Sequence, residues 1–513
     1  MKPTSLWIET TSPPRYPPLT SGLHADVTVI GGGIMGVTTA YLLKRIGLTV
    51  VLIERDRCGG ADTGHTTAHL TSVTDLRPSD LVKKFGQEGA QSAWRAGEFA
   101  IQSIHEFLTA EGIRCDFAWI PGFLHASLTE PSRDEVHSLQ ADAKAVADFG
   151  GSATFVDSVP LVGRPGVRFA NQARLHPLKY LYGLLQTIPG SGSHVFEETT
   201  CEEIQDDPPV VKANGHEIHS GYVIIATHVP LMGKTGLTAA TMLQSKLASY
   251  TTYVLGATAP SGAAPDAAFW DTANPYHYLR IQPQGEQDLV LFGGADHKTG
   301  QISHTQKPFD CLEQTLFRLL PHANLSFRWS GQVVETNDGL PFLGETAPHQ
   351  FVGTGFGGNG MTFGTLAAVM ARDAALGRRG PWADLFDVHR KKVLGGTLHY
   401  LRENLDYPYY LLKDWITQGE SMTPESLRPG EGKILSTRAG RVAASRDPDG
   451  TLHTVSAVCT HMGCLVRWNE AERTWDCPCH GSRFHADGSV LAGPAEKPLE
   501  AVQPEPIVEA SGR

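Results

Sequence analysis

Asp26–Glu54, DVTVIGGGIMGVTTAYLLKRIGLTVVLIE, is the stretch that decides the fold. Val27, Val29 and Ile30 make a short β-branched run, the pattern of a buried parallel strand. Gly31, Gly33 and Gly36 then supply G-x-G-x-x-G at the mouth of a helical pattern. A second apolar run, Thr49–Ile53, ends on Glu54. The three glycines have separate tasks: a tight turn, close approach of backbone to a pyrophosphate, and close packing of helix on strand. The helix N-terminus offers free N–H groups and a partial positive charge to phosphate oxygens. Glu54 closes the second strand, where a carboxylate accepts hydrogen bonds from ribose hydroxyls. Because strand, glycines, helix, strand and acid fall in register, the stretch predicts a dinucleotide site rather than a merely structural Gly-rich turn.

The chain around it has 513 residues, more than one core usually serves, so two to four domains are expected. A net charge of -11 argues against nucleic acid as a partner. The sequence has no apolar run of membrane-spanning length, so no membrane partner is expected. Residues 1–23 lack the apolar core of a secretory signal and read as an N-terminal arm, which makes a cytoplasmic location the expectation. Four of the eight cysteines, Cys459, Cys464, Cys477 and Cys479, crowd into one C-terminal stretch. In a reducing compartment such crowding points to metal before disulfides.

Downstream of Glu54 the loop RDRCGGADTGHTTAHLTSVTD is rich in small residues that suit packing against a flat ligand. His65 and His69 stand four apart there, as polar loop histidines, as flavin contacts or as points of covalent attachment. Residues 80–150 read as helical stretches with short connections, and Asn171–Leu185 as a turn entering a helix with Pro177 near its start. Tyr222–Thr227, YVIIAT, has the pattern of another buried parallel strand. From Leu247 to Asp296 the pattern changes to strands and turns, a mostly antiparallel insert. Alternation in YHYLRI puts Tyr276, Tyr278 and Arg280 on one face and His277 and Leu279 on the other, with Arg280 a candidate substrate contact. A second Gly-rich segment, VGTGFGGNGMTFGT from Val352 to Thr365, leads into another helix and fits a cofactor running between two helix ends. Residues 416–432 read as a linker, and 433–513 as a small all-β domain with D-P-D-G and D-G-S turn cues.

That last domain carries Cys459-Thr-His461-Met-Gly-Cys464 and Cys477-Pro-Cys479-His480-Gly-Ser. The pair of loops closely resembles the Rieske iron–sulfur domain. The resemblance implies a [2Fe-2S] cluster with Cys459 and Cys477 on one iron and His461 and His480 on the other, and a Cys464–Cys479 disulfide clamping the loops. Two neutral imidazoles in place of two thiolates remove negative charge and raise the potential to roughly −150 to +300 mV. A Cys2His2 zinc site is the competing reading.

Residues 20–415 resemble the FAD-dependent amino-acid and amine oxidoreductases, the group of D-amino-acid oxidase, glycine oxidase and sarcosine oxidase. The matching segments are GGGIMG with Glu54, GHTTAH, the helix opening on His-Pro, VIIAT, DGLPFLG and GTGFGGNGMTFG. By that resemblance Gly31, Gly33, Gly36 and Glu54 hold the ADP part of FAD, and Gly64, His65 and Thr66 lie near the flavin. Cys201 contacts adenine through its backbone, and Gly358, Asn359, Gly360 and Met361 sit against the isoalloxazine. One departure stands out: where amino-acid oxidases of the group carry an Arg-Pro that binds the substrate carboxylate, this chain has Val333 and Val334. A hydrophobic pair cannot anchor a carboxylate.

The fold class implied is α/β: a Rossmann-like FAD-binding domain over 24–415, a mostly antiparallel substrate domain inserted at about 80–150 and 240–330, and a C-terminal all-β Rieske domain. The function implied is a flavin-dependent oxidoreductase acting on an amine or amino-acid-like small molecule. Tyr278, His277 and Arg280 are the candidate catalytic residues. Electrons would pass one at a time through the cluster to an acceptor. Alternatives are a reductase running from cluster to flavin, and a redox sensor or electron-transfer protein with no substrate of its own. A Rieske oxygenase would need a further iron held by two His and a carboxylate, and only His485 follows His480.

Overall fold

The computed structural model describes residues 1–128, 132–230, 243, 246–390, 410, 413–415, 419–420, 422–437 and 440–503. The chain divides into two compact units. One comprises Met1–Leu247, Thr252–Ala295 and Cys311–Thr397; the other comprises Ala248–Thr251, Asp296–Asp310 and Leu398–Arg513. Residues 391–409 and 416–418, where the oxidoreductase domain is expected to end and the linker to begin, lie outside the described residues.

The larger unit is built on an eight-stranded sheet. Leu23–Ile30 is flanked by Val50–Ile53 and His216–Ile225, with His194–Phe196 and Gln350–Thr354 outside them, all in parallel. The central residues are covered on both faces, which is why they read as unbroken apolar runs: Val29, Val51, Leu52, Val223 and Ile224 have no exposed surface. Only Phe342–Ala347 and the Pro209–Ala213 and Cys201–Asp206 hairpin add antiparallel edges. The Ile34–Arg45 helix connects the first two strands and packs beside Gly360–Ala375.

A second, nine-stranded sheet runs in the order Asn324–Thr336, Leu247–Pro260, Gln287–Lys298, His277–Gln284, Ala268–Asp271, Ala118–His125, Gly166–Arg174, His69–Leu70, with Ala153–Val156 on the side. It is mostly antiparallel, the Ala268–Asp271 pairing with Ala118–His125 being parallel. The sequence reading of 80–150 saw only helices. Pro78–Ala110 and Arg133–Asp148 are helical, but Ala118–His125 between them is a strand. Its Pro121 and Gly122 blur the alternation that would have marked it. Likewise 171–174 end a strand before the helix that starts on Pro177. The N-terminal arm is ordered: Lys2 pairs with the Asn324–Thr336 strand and Trp7 is 1% exposed.

The smaller unit holds a three-stranded antiparallel sheet (Gly432–Thr437, Gly440–Arg446, Leu452–Ser456) and a four-stranded one (Arg467–Asn469, Thr474–Asp476, Arg483–His485, Val490–Ala492). Trp475, Phe484, Leu465 and Val466 form its core together with Cys459, Cys464 and Cys477. Part of the stretch read as a linker is built into this unit: Pro424–Ser426 form a short helical turn, and Leu427 is buried on Leu435 and Ala444. Among the described residues no helix is long and apolar enough to cross a membrane.

Candidate functional site

The first constellation grows from the end of the Leu23–Ile30 strand. Gly31 takes φ +109 and donates its N–H to Ile53 O at 2.8 Å, which turns the chain sharply into the helix. A Cβ on Gly36 would lie 1.8 Å from Gly31 O, so only glycine lets the helix approach this closely. Gly33 is the helix N-cap and has no side chain to satisfy the first amides. Glu54 reaches across to accept from Gly32 N at 2.6 Å and from Asp56 N at 2.9 Å. Its carboxyl is enclosed by protein yet partly open to solvent, and that enclosure pushes its pKa up. A helix N-terminus whose cap has no side chain, a cradle that a Cβ would fill and an acid beside the turn fit the ADP part of FAD.

Gly64, His65 and Thr66 belong to the Asp62–His65 turn, tied down from the N-terminal arm. Ser5 Oγ donates to Gly64 O at 2.5 Å and Trp7 Nε1 to Thr66 O at 2.5 Å. Thr63 Oγ1 accepts from Ile34 N at 3.1 Å, which sets this turn against the first helix. His65 Nδ1 lies 2.9 Å from Ala61 O. Cys201 opens the edge strand that follows Thr199, whose N–H bonds Glu54 O at 2.9 Å.

Gly358–Met361 form the N-terminus of the Gly360–Ala375 helix, and Gly364 on its second turn packs against Ile34. The side chains of two of these residues turn inward. Asn359 Nδ2 donates to Val73 O at 3.0 Å, and Met361 is 3% exposed in the core. What they leave for a ligand is backbone. The Thr71–Asp75 segment is held here by Asn359, by Thr362 Oγ1 to Thr71 O at 3.2 Å, and by Gly358 N to Asp75 Oδ2 at 2.7 Å. Asp75 was not singled out in the sequence, because no spacing links it to Gly358, 283 positions away.

The three candidate catalytic residues separate. Tyr278 Oη is 2.7 Å from Thr252 Oγ1, and its ring lies beside Tyr276 and edge-on to His69. Burial, with help from Arg280, pushes His69 down to about 4, so its imidazole is neutral at pH 7. His277 stacks on Phe292, and its Nδ1 meets Asp271 Oδ2 at 2.9 Å. The structure gives Arg280 a task other than substrate contact. It has no exposed surface, and it donates to Thr67 O, Ala68 O, Leu175 O and Gln282 Oε1 at 2.7–3.2 Å. Burial pushes it down to about 9, still cationic at neutral pH, and Trp7 lies over it. It therefore braces the backbone at Thr67, Ala68 and Leu175. R280M is expected to cost about 3 kcal/mol, because several buried carbonyls lose their donor. A urea denaturation midpoint would show that loss; a raised KM at an unchanged midpoint would return Arg280 to the substrate.

The second constellation is in the smaller unit. Its two loops share one geometry. Gly463 N bonds Cys459 O and Gly481 N bonds Cys477 O, each at 3.0 Å, and both glycines take φ 78. Cys459 N bonds Cys464 O and Cys477 N bonds Ser482 O, each at 2.8 Å. The equivalent turns bring His461 and His480 edge to face, 4.9 Å between ring centroids, beside the buried thiols of Cys459 and Cys477. Cys464 and Cys479 are joined by a disulfide across the loops. Burial pushes both histidines down to about 4, and a neutral imidazole is the form that binds metal. His461 Nδ1 is buried without a hydrogen-bond partner, which a metal bond would satisfy. The thiol–thiol hydrogen bond from Cys477 lowers Cys459 to about 7 and raises Cys477. Two thiolates and two imidazoles fit a cluster with a chemically distinct iron at each end.

Residues 26–374 match the family model described as FAD dependent oxidoreductase. The chain belongs to that family. Residues 420–503 match the model of the Rieske [2Fe-2S] domain, so this FAD-dependent oxidoreductase carries a second redox cofactor site. A relative of the same layout is the Rieske 2Fe-2S iron–sulfur protein YhfW of Bacillus subtilis (strain 168), whose name is itself provisional. It is 33% identical over 507 residues, covering 98% of this chain and 97% of its own. The C-terminal part is 44% identical over 117 residues to the cytochrome b6-f complex iron–sulfur subunit of Chlorobaculum tepidum, covering 21% of this chain and 64% of that one. Among solved structures, glycine oxidase from Geobacillus kaustophilus superposes with a TM-score of 0.60 at 17% identity, covering 72% of this chain and 99% of its own, a likeness of fold.

Proposed function

We propose that this FAD-dependent oxidoreductase is a dehydrogenase: an amine or amino-acid-like donor gives up hydride at the flavin, and the electrons leave singly through the Rieske centre to a separate acceptor. The observation that carries the reading is that one polypeptide holds both cofactor sites. When bound, FAD accepts two electrons as hydride and the cluster exchanges one at a time. Gly31, Gly33, Gly36 and Glu54 would hold the nucleotide end. The backbone at Gly360 would meet the flavin end from one side, and the Gly64–Thr66 turn from another.

The rest is done by the chain's own groups. Tyr276 stands beside Gly358, Tyr278 and His69 follow it in a row of ring contacts, and Thr252 fixes the Tyr278 hydroxyl. Asn359 and Thr362 lock the Thr71–Asp75 segment against the helix N-terminus, so that segment is set before a donor arrives. His461 and His480 would hold one iron, and Cys459 and Cys477 the other.

Mixing the anaerobic holoenzyme with a panel of primary and secondary amines, amino acids and NAD(P)H tests the proposal. At least one amine or amino acid is expected to bleach the flavin band within seconds. Bleaching by NAD(P)H alone would make a nicotinamide the hydride donor, bleaching only by a one-electron reductant would assign flow from cluster to flavin, and bleaching by none would leave an electron-transfer protein.

A further inference from the structure

A carboxylate, Asp75, lies beside Gly358. Asp75 is walled in by protein, which pushes its carboxyl up, yet the side chain remains open to solvent. Together they describe a carboxylate crowded by protein on one side and reached by solvent on the other. Its Oδ2 takes the Gly358 N–H at 2.7 Å. Among the described residues Oδ1 takes no hydrogen bond and neither oxygen has a cationic partner. A Cβ placed on Gly358 would meet Asp75 Oδ1 and Tyr276 Oη at the same 2.9 Å, so carboxylate and phenol face the same small volume. The Tyr276 and Tyr278 rings are 5.7 Å apart.

The surroundings speak against an anionic ligand. Val333 and Val334 stand where a carboxylate anchor is expected, and Val334 is buried. Among the described residues the two buried arginines of this unit are committed: Arg280 to backbone carbonyls and Gln282, and Arg174 to Asp266 and Asp116 O. A carboxylate without a counterion attracts a cation placed against it, the more so where protein crowds it. Aromatic faces beside it add to the attraction for organic cations.

We propose that Asp75, with Tyr276 beside it, sets the specificity of the oxidation site by receiving a cationic group of the substrate, so that the donor class is a protonated or substituted amine rather than a free carboxylate. The inference rests on the dehydrogenase reading above and narrows its substrate. The competing role for Asp75, a cap for the Gly358 amide, needs only a carbonyl-type oxygen. D75N keeps that oxygen and removes the charge.

Butyltrimethylammonium and hexanoate, neither of which can be oxidised here, are titrated calorimetrically into the FAD-loaded full chain. The cation is expected to bind at least tenfold tighter than hexanoate. D75N should weaken the cation at least tenfold at an unchanged melting temperature, and D75E should restore part of the loss. Tighter binding of hexanoate, binding of neither probe, or a D75N protein that holds the cation as wild type does would overturn the proposal. The wild-type comparison stands even if D75N fails to fold. Binding is read without turnover, so failure of every donor to bleach the flavin would remove the dehydrogenase reading while leaving the charge preference measured.

Discussion

In C459S the iron and acid-labile sulfide are expected to fall below about a tenth of the wild-type content, while FAD stays bound in full. A hydroxyl is a far poorer iron ligand than a thiolate, and the site has no spare donor among its described neighbours. Cys464 and Cys479 are consumed in their disulfide, and His461 and His480 belong to the other iron. The variant should still be bleached by the donor. Delivery of electrons to an external one-electron acceptor should drop at least 100-fold. Iron and sulfide assays beside the flavin spectrum decide this. Retention of the cluster would mean that the ligand set is misassigned.

G36A is expected to be as severe at the other site. The new methyl would meet Gly31 O at 1.8 Å, and both atoms sit on backbone that the first strand and first helix hold rigidly. The helix must withdraw, at a cost of about 3 kcal/mol or more, and its amides withdraw from the phosphates with it. FAD content after gel filtration should fall at least tenfold, with the cluster spectrum unchanged. Full FAD occupancy in G36A would show that the nucleotide does not lie at this turn.

How much of this was readable in advance depends on the range of the signal. The Val27–Ile30 strand, the glycines and Glu54 are a local pattern, because each residue acts on a neighbour within one β-α-β unit. The cluster loops are local too: two turns of matching geometry, each closed within six residues. Arg280 shows where periodicity stops being informative. Alternation separates the two faces of the His277–Gln284 strand, but residues on both faces are buried, so it does not say which face meets a ligand. Only the carbonyls of Thr67, Ala68 and Leu175, far off in sequence, reveal that its guanidinium is a brace. Asp75 lies at the end of a loop whose Thr- and His-rich composition suggested flavin contact. Its meeting with Gly358 and Tyr276 is a product of tertiary folding and has no trace in spacing. The strand Ala118–His125 was hidden for a more ordinary reason, a proline and a glycine inside it.

The central claim is that a two-electron donor reaction at the flavin feeds the one-electron centre of the same chain. It is tested most directly by adding a flavin-bleaching donor to the anaerobic holoenzyme and freezing samples over time for electron paramagnetic resonance. The account predicts that the reduced-cluster signal grows as the flavin band bleaches, and that C459S bleaches without it. A fully bleached flavin beside a cluster that stays oxidised, yet is reduced at once by dithionite, would contradict it.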